Sequence, residues 1–335
     1  MRGLGREFLR SAAVYVGTLI GAGFASGQEL VGFFACFGLW GLAGACLAGA
    51  ALGLGGWLIM WCARTSRATS LRELLASVPR PLDRALALVI SAFLFSGLTI
   101  MLSAGGTLLE GQIRLPRFAG IPLMAALTLA ACWWRTEGLG RVNTLAAPLL
   151  IGTVAATGLI HLSRLSAFPS GTDRIPVAPH WWWAAGLYAG YNLLAGAAIL
   201  PAFAHGGPGA GRGALAGGLA VGAVAALCVP ALNSYLDQEL PLLAAARSLG
   251  AMWAWAYTAN LGLALWTTAA GHLFGLAANA RAYRPRLIVL LLLAIPPAHL
   301  PFSALVGSLY PLFGYLGAVL MLCLALWRPR CAGRC

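Results

Sequence analysis

Charged residues are scarce in this chain. Asp and Glu together number 9 and Lys and Arg 22, so charged residues make up 9% of the 335 positions and hydrophobic residues 60%. A water-soluble globule of this length carries far more polar and charged residues on its surface. The composition therefore argues against a soluble enzyme or soluble binding domain and indicates an integral membrane protein.

The sequence also lacks the residue clusters that carry enzyme chemistry. The five His and eight Cys show no metal-ligand spacing, and no Ser is paired by spacing with a base. Most Cys fall inside apolar runs, where they are expected to pack as small apolar side chains. We predict that the protein is not an enzyme and has no cofactor.

Lys is absent, and the arginines are unevenly placed. A net charge of +13 would suit a nucleic-acid-binding protein, but with the N-terminus in the cytoplasm most Arg fall in cytoplasmic segments. The five expected on the other side are Arg114, Arg117, Arg164, Arg174 and Arg247. This asymmetry predicts a multi-pass protein of the bacterial cytoplasmic membrane with both termini cytoplasmic, and no nucleic-acid partner.

Apolar runs long enough to cross a hydrocarbon core of about 30 Å recur along the chain. The expected spans are, approximately, 11–38, 39–62, 84–110, 118–134, 140–162, 179–204, 210–235, 250–280, 285–300 and 302–327. We predict an all-α integral membrane protein with about ten transmembrane helices, forming a single transporter-like domain over residues 1–335.

The first span contains three glycines, Gly21, Gly23 and Gly27, within seven residues. Each costs roughly 1 kcal/mol relative to Ala inside a helix. Unwound backbone at membrane depth must line a cavity or be buried in protein, because its polar groups cannot face hydrocarbon. The first span is therefore predicted to be a broken helix at a binding site.

Gln28 and Glu29 follow this break directly, and Glu29 is the only carboxylate well inside an apolar span. Inserting a carboxylate there costs about 3 kcal/mol, which favours a functional role. Three roles remain open for Glu29. It binds a substrate amine, exchanges a proton during transport, or caps the second half-helix near its positive end.

A second interruption is predicted in span six, over residues 188–196 (YAGYNLLAG), where Gly flanks the polar Asn192. Paired interruptions at matching positions in two halves are typical of inverted-repeat transporters. We therefore expect a 5+5 inverted repeat with broken helices 1 and 6, the first repeat at about 9–163 and the second at about 178–328. The alternative for Asn192 is a buried amide satisfied by a neighbouring helix.

Polar side chains also form patterns in spans three and eight. Ser96, Thr99 and three later polar residues lie on one helical face, either as the wall of a hydrated cavity or bonded to carbonyls of their own helix. In span eight, the Ala264 carbonyl and the hydroxyls of Thr267 and Thr268 offer converging oxygens, which alkali cations prefer. The segment 233–250 is either an external lid or a surface loop.

Three motifs indicate a known family. Residues 17–29 (GTLIGAGFASGQE), 191–192 (YN) and 266–271 (WTTAAG) together resemble the uncharacterised YkvI-type bacterial membrane proteins. That family is similar to a branch of the amino acid-polyamine-organocation superfamily, which has the leucine-transporter fold of five plus five inverted helices.

The resemblance implies two sites. A substrate carboxylate would meet the backbone N–H groups of Gly21, Ala22 and Gly23, and sodium would lie between carbonyls before the break and oxygens of helix eight. The implied sodium ligands are Gly17, Ile20, Ala264, Thr267 and Thr268. The other expected substrate-binding residues are Gln28, Glu29, Ser96, Thr99, Tyr191 and Asn192.

We therefore expect a secondary active transporter, a sodium-coupled symporter of a small amino acid or related organic solute, working by alternating access in the lipid bilayer. One alternative is proton coupling through Glu29, so that the coupling ion is H⁺ instead of Na⁺. The other is a channel or non-transporting sensor of the same fold.

Overall fold

The computed structural model describes residues 2–74, 80–133, 138–164, 176–277 and 283–326. Within these ranges the regular structure is helical and contains no strand, which confirms the predicted all-α class. Several of the arginines from which the orientation in the membrane is predicted lie outside the described residues. The expected end of the second repeat at 328 also lies outside them. These arginines are Arg135, Arg174, Arg281, Arg328, Arg330 and Arg334.

Fourteen α-helices and two 3₁₀ segments follow one another in the described ranges. The α-helices are α1 (Arg2–Leu19), α2 (Ala22–Ser26), α3 (Gln28–Phe33), α4 (Leu39–Ser66), α5 (Leu71–Leu74), α6 (Arg80–Ile113), α7 (Arg117–Trp133), α8 (Gly138–Ser163), α9 (Trp181–Ile199), α10 (Pro208–Leu232), α11 (Pro241–Arg247), α12 (Ala251–Ala277), α13 (Tyr283–Ala298) and α14 (Phe302–Leu326). The 3₁₀ segments are Ala35–Phe37 and Leu200–Gly206.

Five helical segments of the described chain are long and apolar enough to cross a membrane. They are Leu39–Ser66, Ala87–Ile113, Trp181–Gly206, Gly209–Leu232 and Phe302–Leu326. Shorter apolar helices include Arg117–Trp133 and Ala147–Ser163. The protein is therefore a multi-pass membrane protein, while the count of ten spans and the cytoplasmic location of the termini stay predictions.

The first span is broken where its glycines predict. Helix α1 ends at Leu19, Gly21 is extended with φ −94° and ψ −169°, and the five-residue α2 follows. Gly27 then adopts the left-handed conformation with φ 85° and separates α2 from α3. A left-handed backbone favours glycine, since an L side chain is strained there. The interruption thus has two joints, one before each short helix.

The second interruption was predicted in the wrong place. Helix α9 is continuous through residues 188–196, and the α-helix changes to the 3₁₀ segment only at Leu200. Asn192 does not unwind the helix because its Nδ2 donates to the Tyr188 carbonyl of the preceding turn at 3.0 Å. Pro201 lacks a backbone N–H, and this accounts for the later change of hydrogen bonding.

Two groups of helices pack around the broken span. On one side, α1 and α4 each pack against both α9 and α10, while α6, α7, α12 and α13 form a second group. Helix α8 bridges α10 and α12, and α14 packs mainly along α9. The break therefore lies among helices of both groups, since α2 contacts α12 while α3 contacts α9, α10 and α14.

Small residues allow α4 and α10 to approach closely. A Cβ added to Gly49 would lie 2.7 Å from the Gly222 Cα, and one added to Gly53 would lie 2.7 Å from the Leu215 carbonyl oxygen. Real Cβ atoms do not tolerate such separations from backbone. Close backbone approach through glycine is a common way for helices to associate in lipid, where water does not drive them together.

We predict that Gly49→Ala destabilises the protein by about 1–3 kcal/mol, because the new methyl group forces the α4 and α10 backbones apart. The matched control is Gly186→Ala on α9, where an added Cβ meets nothing within 4 Å. Unfolding in mixed SDS and detergent micelles measures both variants. Equal stability of the two variants would contradict this account of the α4–α10 contact.

Candidate functional site

The break in the first span is covered by the segment that the sequence left open as a lid or a surface loop. Helix α11 is largely buried and contacts α2, α3 and α12. A Cβ at Gly27 would lie 2.7 Å from the Leu242 backbone nitrogen. The same segment is fixed to α14 by Glu239, whose oxygens accept from the Ser303 N–H at 2.8 Å and hydroxyl at 2.7 Å. In this structure the segment is a closed cover.

Backbone groups beside the first joint are left without helical partners. In the described chain, the carbonyls of Gly17 and Ile20 and the N–H groups of residues 21–23 take part in no backbone hydrogen bond. Most of the backbone at the break is nevertheless shielded from solvent, since Ile20, Ala22 and Phe24 are each about 1% exposed, while Gly17 and Gly21 are half-buried. Such groups are free to meet a ligand, and buried backbone groups normally find a partner.

The Glu29 carboxyl lies over this break. Glu29 is 4% exposed, and the position that a Cβ on Gly23 would take is already occupied by Oε1 of Glu29. The Tyr191 hydroxyl donates to Oε2 of the same carboxyl. The Tyr310 hydroxyl is a further hydrogen-bonding neighbour and lies 3.1 Å from the same Cβ position. A protein carboxyl therefore occupies the surface of the glycine break.

The two tyrosines that meet the carboxyl belong to a group of packed aromatic rings. The rings of Tyr191 and Tyr310 stack with centroids 4.7 Å apart, and Tyr188 meets Tyr191 edge-on at 5.4 Å. Phe33 packs against both Tyr188 and Tyr191, at 5.5 Å and 5.8 Å. Tyr188 and Tyr191 share one face of α9 because residues three apart are neighbours on a helix. We call Glu29, Tyr188, Tyr191, Tyr310 and Phe33 the carboxylate–aromatic cluster.

Two polar groups of this cluster lack the hydrogen bond or ion pair that buried polar groups normally have. The Tyr188 hydroxyl is buried and makes no hydrogen bond of ordinary geometry in the part of the chain that the structure describes, and its polar neighbours are the side chains of Tyr191 and Asn192. Glu29 is the only charged side chain in the buried set of described residues, and it forms no ion pair there. Buried charges are normally paired, so a carboxyl placed here is neutralised by a proton or by a bound cation.

The expected sodium ligands lie on two segments of the chain. Gly17 is in the last turn of α1 and Ile20 directly follows that helix, while Ala264, Thr267 and Thr268 are on α12. The Thr267 hydroxyl donates to the Ala264 carbonyl at 3.2 Å, so these two oxygens converge. About two turns before Ala264, the Tyr257 hydroxyl donates to the Ala25 carbonyl at 2.7 Å and joins α12 to α2.

Two hydroxyls on the polar face of α6 bond to carbonyls of their own helix. The Thr99 hydroxyl donates to the Phe95 carbonyl at 3.1 Å and the Thr107 hydroxyl to the Ser103 carbonyl at 3.1 Å. Both bonds are of the own-helix kind that the sequence left open. Ser96 is half-buried, and no hydrogen bond among the described residues joins Ser96 or Thr99 to the break. Their predicted substrate contact stays a prediction.

Gln28 and Asn192 are both buried near the cluster. Gln28 is 2% exposed, begins α3, and its N–H donates to the Ser26 hydroxyl at 3.2 Å. Asn192 is 4% exposed on α9, and Tyr188 lies beside its side chain. The structure thus brings the expected residues of the break together with those of α9.

Sequence reasoning missed Tyr310 and did not select Tyr188. Tyr188 is three positions before Tyr191, so the helical period could have indicated it. Tyr310 stands before Pro311 in the middle of a long apolar helix, which is an unusual place for a phenolic hydroxyl. Its contact with Glu29 joins residues 281 positions apart and could not be read from local spacing.

Two uncharacterised Bacillus subtilis proteins resemble the chain over nearly its whole length. It is 28% identical to YyaD over 339 aligned positions, covering 97% of this chain and 98% of the relative. It is 27% identical to the membrane protein YkvI, covering 91% of each. No protein-family model matches the chain. These similarities confirm the resemblance to YkvI-type proteins.

Solved structures with the same fold cover most of the chain at low identity. MhsT in complex with L-phenylalanine has a TM-score of 0.65 and 16% identity, with 96% of this chain and 88% of MhsT covered. An Eremococcus coleocola manganese transporter mutant has a TM-score of 0.63 and 14% identity, with 95% of this chain and 78% of that chain covered. Inward-facing Mhp1 has a TM-score of 0.57 and 13% identity, with 95% of this chain and 76% of Mhp1 covered. The chain therefore has the leucine-transporter fold that these structures share.

We predict an energetic coupling between Gly23 and Glu29. Gly23→Ala should cost about 1–3 kcal/mol in the wild-type background, because the methyl group displaces the carboxyl. In a Glu29→Ala background the same change should cost much less, since the space is then free. A double-mutant cycle of unfolding free energies in mixed micelles measures the difference, which should be at least about 1 kcal/mol.

Gly21→Ala is the control for this cycle. Gly21 lies at the same break, but a Cβ added there meets nothing within 4 Å and its φ of −94° suits Ala. Gly21→Ala should show no coupling to Glu29. A cost of Gly23→Ala that is unchanged by Glu29→Ala would show that the carboxyl does not pack on Gly23.

Proposed function

We propose that this protein is a secondary active transporter that moves a small organic solute, an amino acid or a related compound, by alternating access coupled to sodium. The observation that carries the proposal is the broken first helix, with unpaired backbone groups and a buried carboxyl under the closed cover α11. Discontinuous helices of this kind hold substrates and coupling ions in transporters.

The structural neighbours support transport of a small solute. They include MhsT with L-phenylalanine, a manganese transporter, and Mhp1, a nucleobase-cation-symport-1 family transporter with bromovinylhydantoin bound. The same fold thus accepts chemically different ligands, and the fold alone does not select one. The substrate class has to be argued from the side chains at the break.

The sodium proposal depends on the register between the first and eighth spans. The hydrogen bond from Tyr257 to Ala25 places these two residues at the same depth in the membrane, and spans one and eight are expected to cross the membrane in opposite directions. Residues that precede Ala25 are therefore expected to face residues that follow Tyr257. Ile20 in the first span and Ala264 on α12 are such a pair. Carbonyl and hydroxyl oxygens from both sides supply the hard ligands that sodium needs.

We predict that sodium stabilises the wild-type protein against heat relative to an equal concentration of potassium. A sodium concentration of about 100 times the Kd of the site raises the free energy of unfolding by about 2.7 kcal/mol. Thr268→Ala should abolish the sodium effect. Thr65→Ala should keep it, because the exposed Thr65 hydroxyl bonds only to the Trp61 carbonyl of its own helix.

The opposite result has a defined meaning. If sodium and potassium give equal stability in the wild type, sodium coupling is wrong, and proton coupling through Glu29 becomes the better account. The observation that favours this second candidate is a buried carboxyl whose partners are tyrosine hydroxyls.

Transport itself is tested by uptake into proteoliposomes with an imposed sodium gradient and, separately, a pH gradient. Radiolabelled amino acids and amines are offered as solutes. A coupled transporter accumulates its solute above the outside concentration and loses it when the gradient is collapsed. Equilibration without accumulation would indicate a channel, and binding without any flux would indicate a sensor.

A further inference from the structure

We infer that the solute recognised at the break is an organic ammonium compound whose cationic nitrogen binds between the Glu29 carboxylate and the rings of the carboxylate–aromatic cluster. The inference rests on the proposed function, because it names the class of solute that the proposed transporter takes. It departs from the expected carboxylate site at Gly21, Ala22 and Gly23.

The first argument is that the Glu29 carboxyl already occupies the place where a solute carboxylate was expected to bind. The Glu29 Oε1 atom already lies where a Cβ on Gly23 would stand. A solute carboxylate brought to the same backbone would lie beside a second carboxyl group. Two carboxylates sharing one site cannot both remain ionised without a proton or cation between them. A solute carboxylate is therefore disfavoured where the resemblance placed it.

The second argument is the missing partner of Glu29. Its hydrogen-bonding neighbours, Tyr191 and Tyr310, are neutral hydroxyls, and no Arg or His of the described chain pairs with it. A carboxylate in a buried site gains most from a partner of opposite charge that also satisfies its lone pairs. An ammonium group supplies both the charge and N–H donors.

The third argument is the composition of the walls. Four rings, those of Phe33, Tyr188, Tyr191 and Tyr310, lie in a continuous series of contacts. Two of them, Tyr191 and Tyr310, meet Glu29 through their hydroxyls. Aromatic faces attract organic cations, and sites for ammonium ligands are commonly lined in this way. The buried Tyr188 hydroxyl, which makes no hydrogen bond of ordinary geometry among the described residues, offers one more acceptor for an N–H group. Sodium gains less from such walls because it requires several oxygen ligands.

The test compares compounds that share a side chain and differ only in their charged groups. Three sets cover small, branched and aromatic side chains. They are ethylamine, L-alanine and propanoate; isoamylamine, L-leucine and 4-methylpentanoate; and 2-phenylethylamine, L-phenylalanine and 3-phenylpropanoate. Binding to the purified full-length protein is measured by thermal stabilisation and by calorimetry, with potassium and with sodium as the buffer cation.

At least one amine should bind the wild type at least about tenfold more tightly than its amino acid and carboxylate counterparts. Glu29→Gln, which keeps the size of the side chain, should weaken binding of that amine by at least about tenfold, since it removes the opposite charge from a buried pair. Tyr310→Phe should weaken binding of the amine by a smaller factor. Tyr15→Phe is the control, because the buried Tyr15 hydroxyl bonds the Leu52 carbonyl between α1 and α4.

Three results would overturn the inference. They are binding of none of the amines, tighter binding of an amino acid or carboxylate than of its amine, and amine binding that Glu29→Gln leaves unchanged in a folded variant. Sodium-driven accumulation of an amino acid, together with no amine binding, would refute the inference and leave the proposed transport standing. Glu29-dependent amine binding without accumulation in proteoliposomes would refute transport and support the amine site.

Discussion

The contact between the Glu29 carboxyl and Gly23 is the constraint on which the rest of the site depends. The carboxyl can lie over the broken helix only because residue 23 has no side chain. Once there, it meets the hydroxyls of Tyr191 and Tyr310, which come from α9 and α14. Two helices that are far apart in the sequence are thereby joined to the break by one buried polar group, in surroundings where an unpaired charge is costly.

The surrounding fold gives this contact its environment. Glycine-based packing of α4 on α10 holds the first helical group together, and α11 closes over Gly27 from another side. Glu239 fixes the covering segment to α14, the same helix that carries Tyr310. Movement of that cover would therefore be felt at both the break and the cluster. This is a physical route by which access to Glu29 and the position of α14 can change together.

The sequence was sufficient for the features that depend on local chemistry. Three glycines in seven residues located the break, and a lone carboxylate in an apolar run singled out Glu29. Local chemistry misleads at Asn192, where a polar residue between two nearby glycines predicts an unwound α9 although its amide bonds its own helix. Tyr310 could not be found at all, since its role arises only when α14 packs beside α3 and α9. Contacts between distant helices set the cluster, and one sequence does not contain them.

Infrared difference spectroscopy on the purified protein tests most directly whether Glu29 is the group that meets the solute. Spectra with and without the tightest-binding amine are compared for the wild type, Glu29→Gln and, as a control, the exposed-site variant Glu73→Gln. The account predicts a ligand-induced change in the carboxyl and carboxylate bands that is present in the wild type and in Glu73→Gln and absent in Glu29→Gln. The same carboxyl change in all three proteins would show that the solute binds elsewhere.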